Sequence, residues 1–421
     1  MYDVLTLPNG VRIVTEQVPG VRSAAIGIWV GAGSRHEKAN EGGTAHFIEH
    51  MLFKGTEKRT AADIARETDA IGGQINAFTT KECTCFYARV LDSHVEQVLE
   101  ILWDMVYGSR FDQKDVDTER GVILEEIGMY QDTPDDLCSE RLFASVYPAS
   151  SLGRPILGKA ATLKNLTGET LRDWQKAHYL PENTVVSLSG SFSPHLVEEL
   201  SERFSTLTPG KVPSYKQAVY TPSLTLKRKA TEQNHLTLAF PGLSYLSPRR
   251  FSLQLLSSIL GGGMSSRLFQ EVREKRGLCY SVYSYGAGHA DTGTFNIYTA
   301  LGRETEGDAL KTICSVIDDF VAKGPDEEEL DRAREQSKAN VLMGLESTQS
   351  RMSHMGRSLL FAGEILTPED IIEAYDSVTR DDVVSLAKDI FQFDKASLSA
   401  VGKVAPKESY ETFLRRETSG T

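Results

Sequence analysis

The chain has 421 residues, 40% of them hydrophobic and 25% charged, with a formal net charge of −12. That length exceeds what one hydrophobic core ordinarily organises, so two domains are expected, and the composition is that of a soluble globular protein. The acidic balance argues against nucleic acid as the main partner, and no run approaches the roughly 20 apolar residues of a membrane span.

The N-terminal stretch "MYDVLTLPNGVRIV" reads as strand, turn and strand, with Pro8-Asn9-Gly10 as the turn. It has neither the basic start and apolar run of a secretory signal nor the character of a transit peptide. Five cysteines (Cys83, Cys85, Cys138, Cys279 and Cys314) are few, scattered and odd in number. They point to reduced thiols in a cytosol-like compartment. Along the chain, "VRSAAIGIWVGAGSRHE" predicts a strand and "GGTAHFIEHMLFKG" a helix, and "GGQINAFTTKECTCFYARVL" predicts further strands. On a strand Cys83 and Cys85 share one face, a structural arrangement that lacks zinc-knuckle or redox spacing. A helix pair then runs through residues 93–131, the second member with an acidic start.

The second half repeats this plan: a strand in "QNHLTLAFPGLS", a helix from Arg249, strands in "LCYSVYSYGAGHADTGTFNIYTAL", then a second helix pair. Between the halves, a stretch with Pro209, Pro213 and Pro222 and no clear periodicity reads as a linker. The expected organisation is therefore α+β. It has two similar domains from an internal duplication, each a mostly antiparallel sheet packed with helices, at residues 1–210 and 225–421 with a linker at 211–224.

His46-Phe47-Ile48-Glu49-His50 poses the chemical question. Thr44 is a candidate cap for this helix and Gly55 a candidate stop. Helical spacing puts His46, Glu49, His50 and Phe53 on one side, with Ala45, Ile48 and Leu52 on an apolar line. Two imidazoles one turn apart suit one Zn²⁺, and Glu49 then lies where a general base for water belongs. On these five residues alone, a metal site and the solvated face of an ordinary helix both remain open. Downstream, "DTERGVILEEIGMYQD" offers Glu119 and Glu126, seven apart and on one helix face, with Val122, Ile123 and Ile127 to bury the helix. A catalytic zinc needs such a third ligand.

Together "GGTAHFIEHMLFKGT", the Glu119…Glu126 pair and "EEIGMYQDTPDD" resemble the M16 metallopeptidases, inverted zincins with an H-x-x-E-H signature. The resemblance covers essentially the whole chain and is nearest to the short branch, the processing-peptidase β subunit and its bacterial homologues. It implies the LuxS/metallopeptidase-like fold and a zinc endopeptidase acting on short, unfolded or presequence-like peptides inside a closed chamber. His46, His50 and Glu126 become ligands of one Zn²⁺ per chain, Glu49 the catalytic base and Glu119 a support beside the metal.

By the same resemblance "GGQINAFTTKE" is the edge strand to which a peptide adds, with Asn76 and Ala77 at the substrate-binding positions. The arginine–tyrosine pair that reaches substrate and oxyanion becomes Arg273 and Tyr280. Family members that split these motifs between subunits imply, for a chain carrying both, a clamshell homodimer. Gly261 to Gly263 resemble a shortened glycine-rich loop, with a plain strand–helix connection equally open; no P-loop follows. Glu125, Asp132, Asp135 and Asp136 suggest by charge alone an acidic wall favouring basic peptides. The intact zinc motif argues against the alternative, a non-catalytic structural or peptide-binding subunit. A bacterial cytoplasm is the expected location, ahead of a mitochondrial matrix, with no nucleic acid and no membrane as partner.

Overall fold

In the computed structural model, which describes residues 2–415, the apolar stretches become two sheets. The first contains β1 (Asp3–Thr6), β2 (Arg12–Gln17), β3 (Ser23–Val30), β4 (Gln74–Thr79), β5 (Thr84–Leu91) and β6 (Thr184–Gly190), in the order β1-β2-β6-β3-β5-β4. The second contains β7 (Leu224–Arg228), β8 (Asn234–Pro241), β9 (Ser281–Gly288), β10 (Gly293–Leu301) and β11 (Ser397–Gly402), in the order β7-β11-β8-β10-β9. With β1 set aside, the two orders are the same when β2 to β6 are matched one by one to β7 to β11. Each sheet has one parallel pair, β2 with β6 and β7 with β11, among otherwise antiparallel pairs.

The helices include α1 (Thr44–Met51), α2 (Val95–Gly108), α3 (Gln113–Asp132), α4 (Pro134–Val146), α5 (Arg250–Gly261), α6 (Glu306–Lys323), α7 (Glu327–Gly344) and α8 (Thr348–Phe361). Residues 208–223 carry no regular secondary structure.

The compact units do not follow the contiguous division expected from sequence. One unit comprises Met1–Ile127, Arg154–Lys216 and Met343–Ile365; the other comprises Gly128–Gly153, Gln217–Leu342 and Leu366–Thr421. The reason is burial. In the first unit α1 and α2 fill one face of the sheet around Ile26, Ile28, Phe86 and Leu102. On the opposite face Val14, Ala25, Trp29, Cys85 and Val185 cluster with Met352, Met355 and Leu359 of α8, a helix from the second half of the sequence. The fit is close: a Cβ at Gly356 would stand 2.2 Å from Trp29 Nε1, so only glycine lets this helix lie against the ring. In the second unit α5 and α6 pack on one sheet face. Leu142 and Val146 of α4, from the first half, cluster with Ala239 of β8 on the other. Each sheet is thus a layer between helices, and periodicity along the chain carries no sign of which helix covers which face.

Candidate metal centre

Three stretches of the first unit build the site: α1, the middle of α3 and the edge strand β4. The helix α1 starts at Thr44 and ends at Met51, shorter than its sequence signals imply. Gly43 occupies the cap position, while the Thr44 hydroxyl donates to the Glu41 carbonyl at 2.6 Å. Phe53 therefore lies beyond the helix, and Gly55 turns the chain with φ at 123°. Ala45, Phe47, Ile48 and Met51 are fully buried and anchor α1, which leaves His46, Glu49 and His50 on the opposite side. On α3 the buried positions are Val116, Glu119 and Ile123. Glu126 continues that face one turn later, so two carboxylates lie on a stripe that apolar residues hold in place. Val122, expected to help bury this helix, is instead 48% exposed, because it falls off the stripe.

The geometry brings together His46, His50 and Glu126, whose ligand atoms all lie within 4.8 Å of one another. Glu126 Oε2 is 3.6 Å from both His46 Nε2 and His50 Nε2. Two ligands of a tetrahedral zinc with bonds of about 2.0–2.1 Å stand roughly 3.3 Å apart, so this spacing suits a shared ion. Glu119 is 4% exposed, and its Oε1 accepts from His50 Nδ1 at 2.8 Å, which leaves His50 Nε2 free to ligate. The other Glu119 oxygen meets Lys54 Nζ at 2.6 Å. Glu49 Oε2 is buried and has no protein hydrogen-bond partner, although the side chain shares a hydrogen bond with Thr79 at the end of β4. The donor set and this unpartnered Glu49 oxygen fit a metal with its water.

Electrostatics favours the metal-binding protonation states. Burial, reinforced by the neighbouring His50, pushes the His46 imidazole down to about 4, so at neutral pH it is uncharged and able to ligate. Burial raises the Glu49 carboxyl above its ordinary range, with Thr79 and His50 opposing and Glu126 adding to the rise. A carboxylate raised in this way is a stronger base. Burial also raises Glu126, against the pull of His50.

Asn76 and Ala77 lie on β4, the outer strand of its sheet, and Asn76 Oδ1 accepts from the Ala77 amide at 2.8 Å. Arg273 and Tyr280 belong to the second unit, as do Gly261 to Gly263 at the end of α5. The Arg273 guanidinium sits 4.7 Å from the Phe269 ring centroid and 5.2 Å from that of Tyr280, on a π-helical turn spanning Phe269–Glu274. Such turns are frequent at functional sites. Among the acids of the suggested wall, Glu125 lies in the first unit and Asp132, Asp135 and Asp136 in the second. Two contacts at the site were not foreseen from the sequence, those of Lys54 and Thr79. Lys54, four positions after His50, was within reach of the helical-spacing argument, whereas Thr79 carries no local signal. No helix among the described residues is long and apolar enough to cross a membrane.

A helix bearing H-x-x-E-H beside a glutamate-bearing helix, in one of two units of repeated strand order, defines the class of inverted-zincin metallopeptidases. Comparison with known proteins agrees. Residues 12–160 match the family description "Insulinase (Peptidase family M16)" and residues 165–337 match "Peptidase M16 inactive domain". The protein named "Uncharacterized zinc protease YmxG" of Bacillus subtilis is 41% identical over 93% of this chain and 96% of its own length. "Uncharacterized zinc protease SCO5738" of Streptomyces coelicolor is 42% identical over 96% of this chain and 90% of its own. A crystal structure described as a peptidase M16 inactive domain from Pseudomonas fluorescens shares the fold at a TM-score of 0.89 and 23% identity, covering 96% of this chain and 98% of that one. The chain belongs to peptidase family M16.

Proposed function

We propose that the protein is a zinc-dependent endopeptidase that hydrolyses short, unfolded or presequence-like peptides, and that its site lies on α1 and α3. The observation that carries the reading is the convergence of His46, His50 and Glu126 with an unpartnered oxygen of Glu49 beside them. His46 Nε2, His50 Nε2 and a Glu126 oxygen would hold one zinc ion per chain. Bound there, zinc supplies a Lewis acid for the scissile carbonyl and an acidified water.

Glu49 would accept a proton from the attacking water on its unpartnered Oε2 and return it to the leaving amine. Glu119 holds His50 in the tautomer and orientation that present Nε2. A peptide lies along β4 as an added strand, its backbone read by Asn76 and Ala77, with Thr79 linking that strand to the base. Arg273 and Tyr280 donate to substrate and oxyanion from a second copy of the chain, in a homodimer that closes the chamber. The cytoplasm of a bacterium is the proposed location.

The deciding experiment compares the wild type with Glu49→Gln on a quenched fluorescent peptide, with zinc content quantified in both. The expected result is one zinc per chain in each and a fall in kcat/KM of about 10²–10⁴-fold in the variant. Activity equal to that of the wild type with zinc retained would remove Glu49 from the role of base. Light scattering tests the dimer: a mass equal to one chain at assay concentration contradicts it.

A further inference from the structure

The metal helix is a fragile element. With eight residues it has little more than two turns, too few to stand on helix propensity alone. Its first amides need acceptors from outside, which a serine, threonine or aspartate at the cap position usually supplies. That solution is closed here. Gly43, at the cap, has φ at 95°, and a Cβ there would stand 2.7 Å from the Leu157 carbonyl oxygen and 2.8 Å from Leu163 Cδ2. Thr44, the next residue, spends its hydroxyl on the Glu41 carbonyl.

The acceptor comes from upstream. Glu37, 3% exposed, places Oε2 at 2.9 Å from the Gly43 amide and Oε1 at 2.9 Å from the Ala45 amide. The two donors flank the helix start, and Ala45 immediately precedes His46. Glu37 is itself tied down, since its backbone carbonyl accepts from the Arg154 guanidinium. Burial pushes its carboxyl above the ordinary range, while the two donating amides, Arg154 and Lys81 oppose that rise by favouring the carboxylate. Such a buried acid is costly, and the two amides and the positive end of α1 are what it serves.

We infer that Glu37 is a positioning residue for the metal centre: by clamping both amides at the start of α1 it sets where His46 and Glu49 stand. The inference rests on the metallopeptidase reading, but its main readout is zinc affinity, which does not require turnover. A residue serving fold stability alone would lower the unfolding temperature and leave zinc affinity and kcat of the folded protein unchanged.

The test uses the full chain with Glu37→Ala and Glu37→Gln. Zinc Kd is measured by chelator competition well below the unfolding temperature, and kcat and KM on the same peptide. Glu37→Ala is expected to weaken zinc about 10–100-fold, the range seen when supports of metal ligands are removed. Its kcat falls while KM stays within about twofold. Glu37→Gln, which keeps one acceptor and turns an N–H toward the other amide, is expected in between. A folded Glu37→Ala with both zinc Kd and kcat within about twofold of wild type overturns the inference. If that variant does not fold, the glutamine variant decides by the same criterion. Amide exchange of the wild type is read in parallel, where unprotected Gly43 and Ala45 amides also overturn it. A zinc-loaded wild type that cleaves no peptide defeats the peptidase reading and leaves Glu37 to be judged on zinc affinity.

Discussion

Between β3 and β4 the first unit carries α1, with two histidines and a glutamate; between β8 and β9 the second carries α5, of sequence RFSLQLLSSILG. Both helices pack on sheets of the same strand order, yet α5 has no histidine, cysteine or acid and buries Leu253, Leu256 and Leu260. The fold therefore does not require the polar cluster. Burying His46 and Glu119 costs free energy that leucines at such positions do not, and the first unit carries that cost only where the residues meet one another. The description of residues 165–337 as an inactive domain matches this difference in the helices.

Three measurements break or sharpen the contrast. Leu256→Ala in α5 removes a fully buried side chain and is expected to cost about 2–5 kcal/mol of stability. Its zinc content is expected to equal that of the wild type; a loss of zinc would show that the metal centre depends on the second unit's core. Glu119→Gln in the first unit should do the reverse, weakening zinc by about 10–100-fold in chelator titrations with little change in thermal unfolding of the metal-free protein. Unchanged affinity would reduce Glu119 to a buried spectator.

The smallest effect concerns pH. Burial, with His178 nearby, pushes His36 in the first unit down to about 4 from an ordinary value near 6.5. Between those values the unfolded chain binds the extra proton, so the stability His36 contributes is complete above pH 6.5 and lost as pH falls toward 4. In the metal-free protein, His36→Gln is expected to flatten the acid limb of the unfolding midpoint over that window. A limb as steep as in the wild type would assign it to other groups.

Much of the architecture was legible locally. The strand-like stretches marked the strands, the repeat of strand, helix, strands and helix pair marked the duplication, and β4 sits at a sheet edge as the family resemblance implied. The pairing of Glu119 with Glu126 followed from their spacing of seven on one helix. The end of α1 was misread because Gly55 is a turn glycine four residues beyond the helix, and a glycine signals a stop without saying where hydrogen bonding ceases.

By itself, then, the sequence determined the elements and the repeated plan, because these depend on residues close together in the chain, whereas the proposed ligand set drew on family resemblance, since Glu126 lies far beyond His50 in the sequence. Only the tertiary structure decided which helix covers which sheet face, so that 343–365 lies with the first unit and 128–153 with the second. It likewise decided that Lys54 meets Glu119, that Thr79 reaches Glu49 and that Glu37 caps α1 across a glycine turn. Those pairings depend on shape and burial between segments far apart or looped back in the chain, and hydrophobic periodicity carries no record of partners at such range.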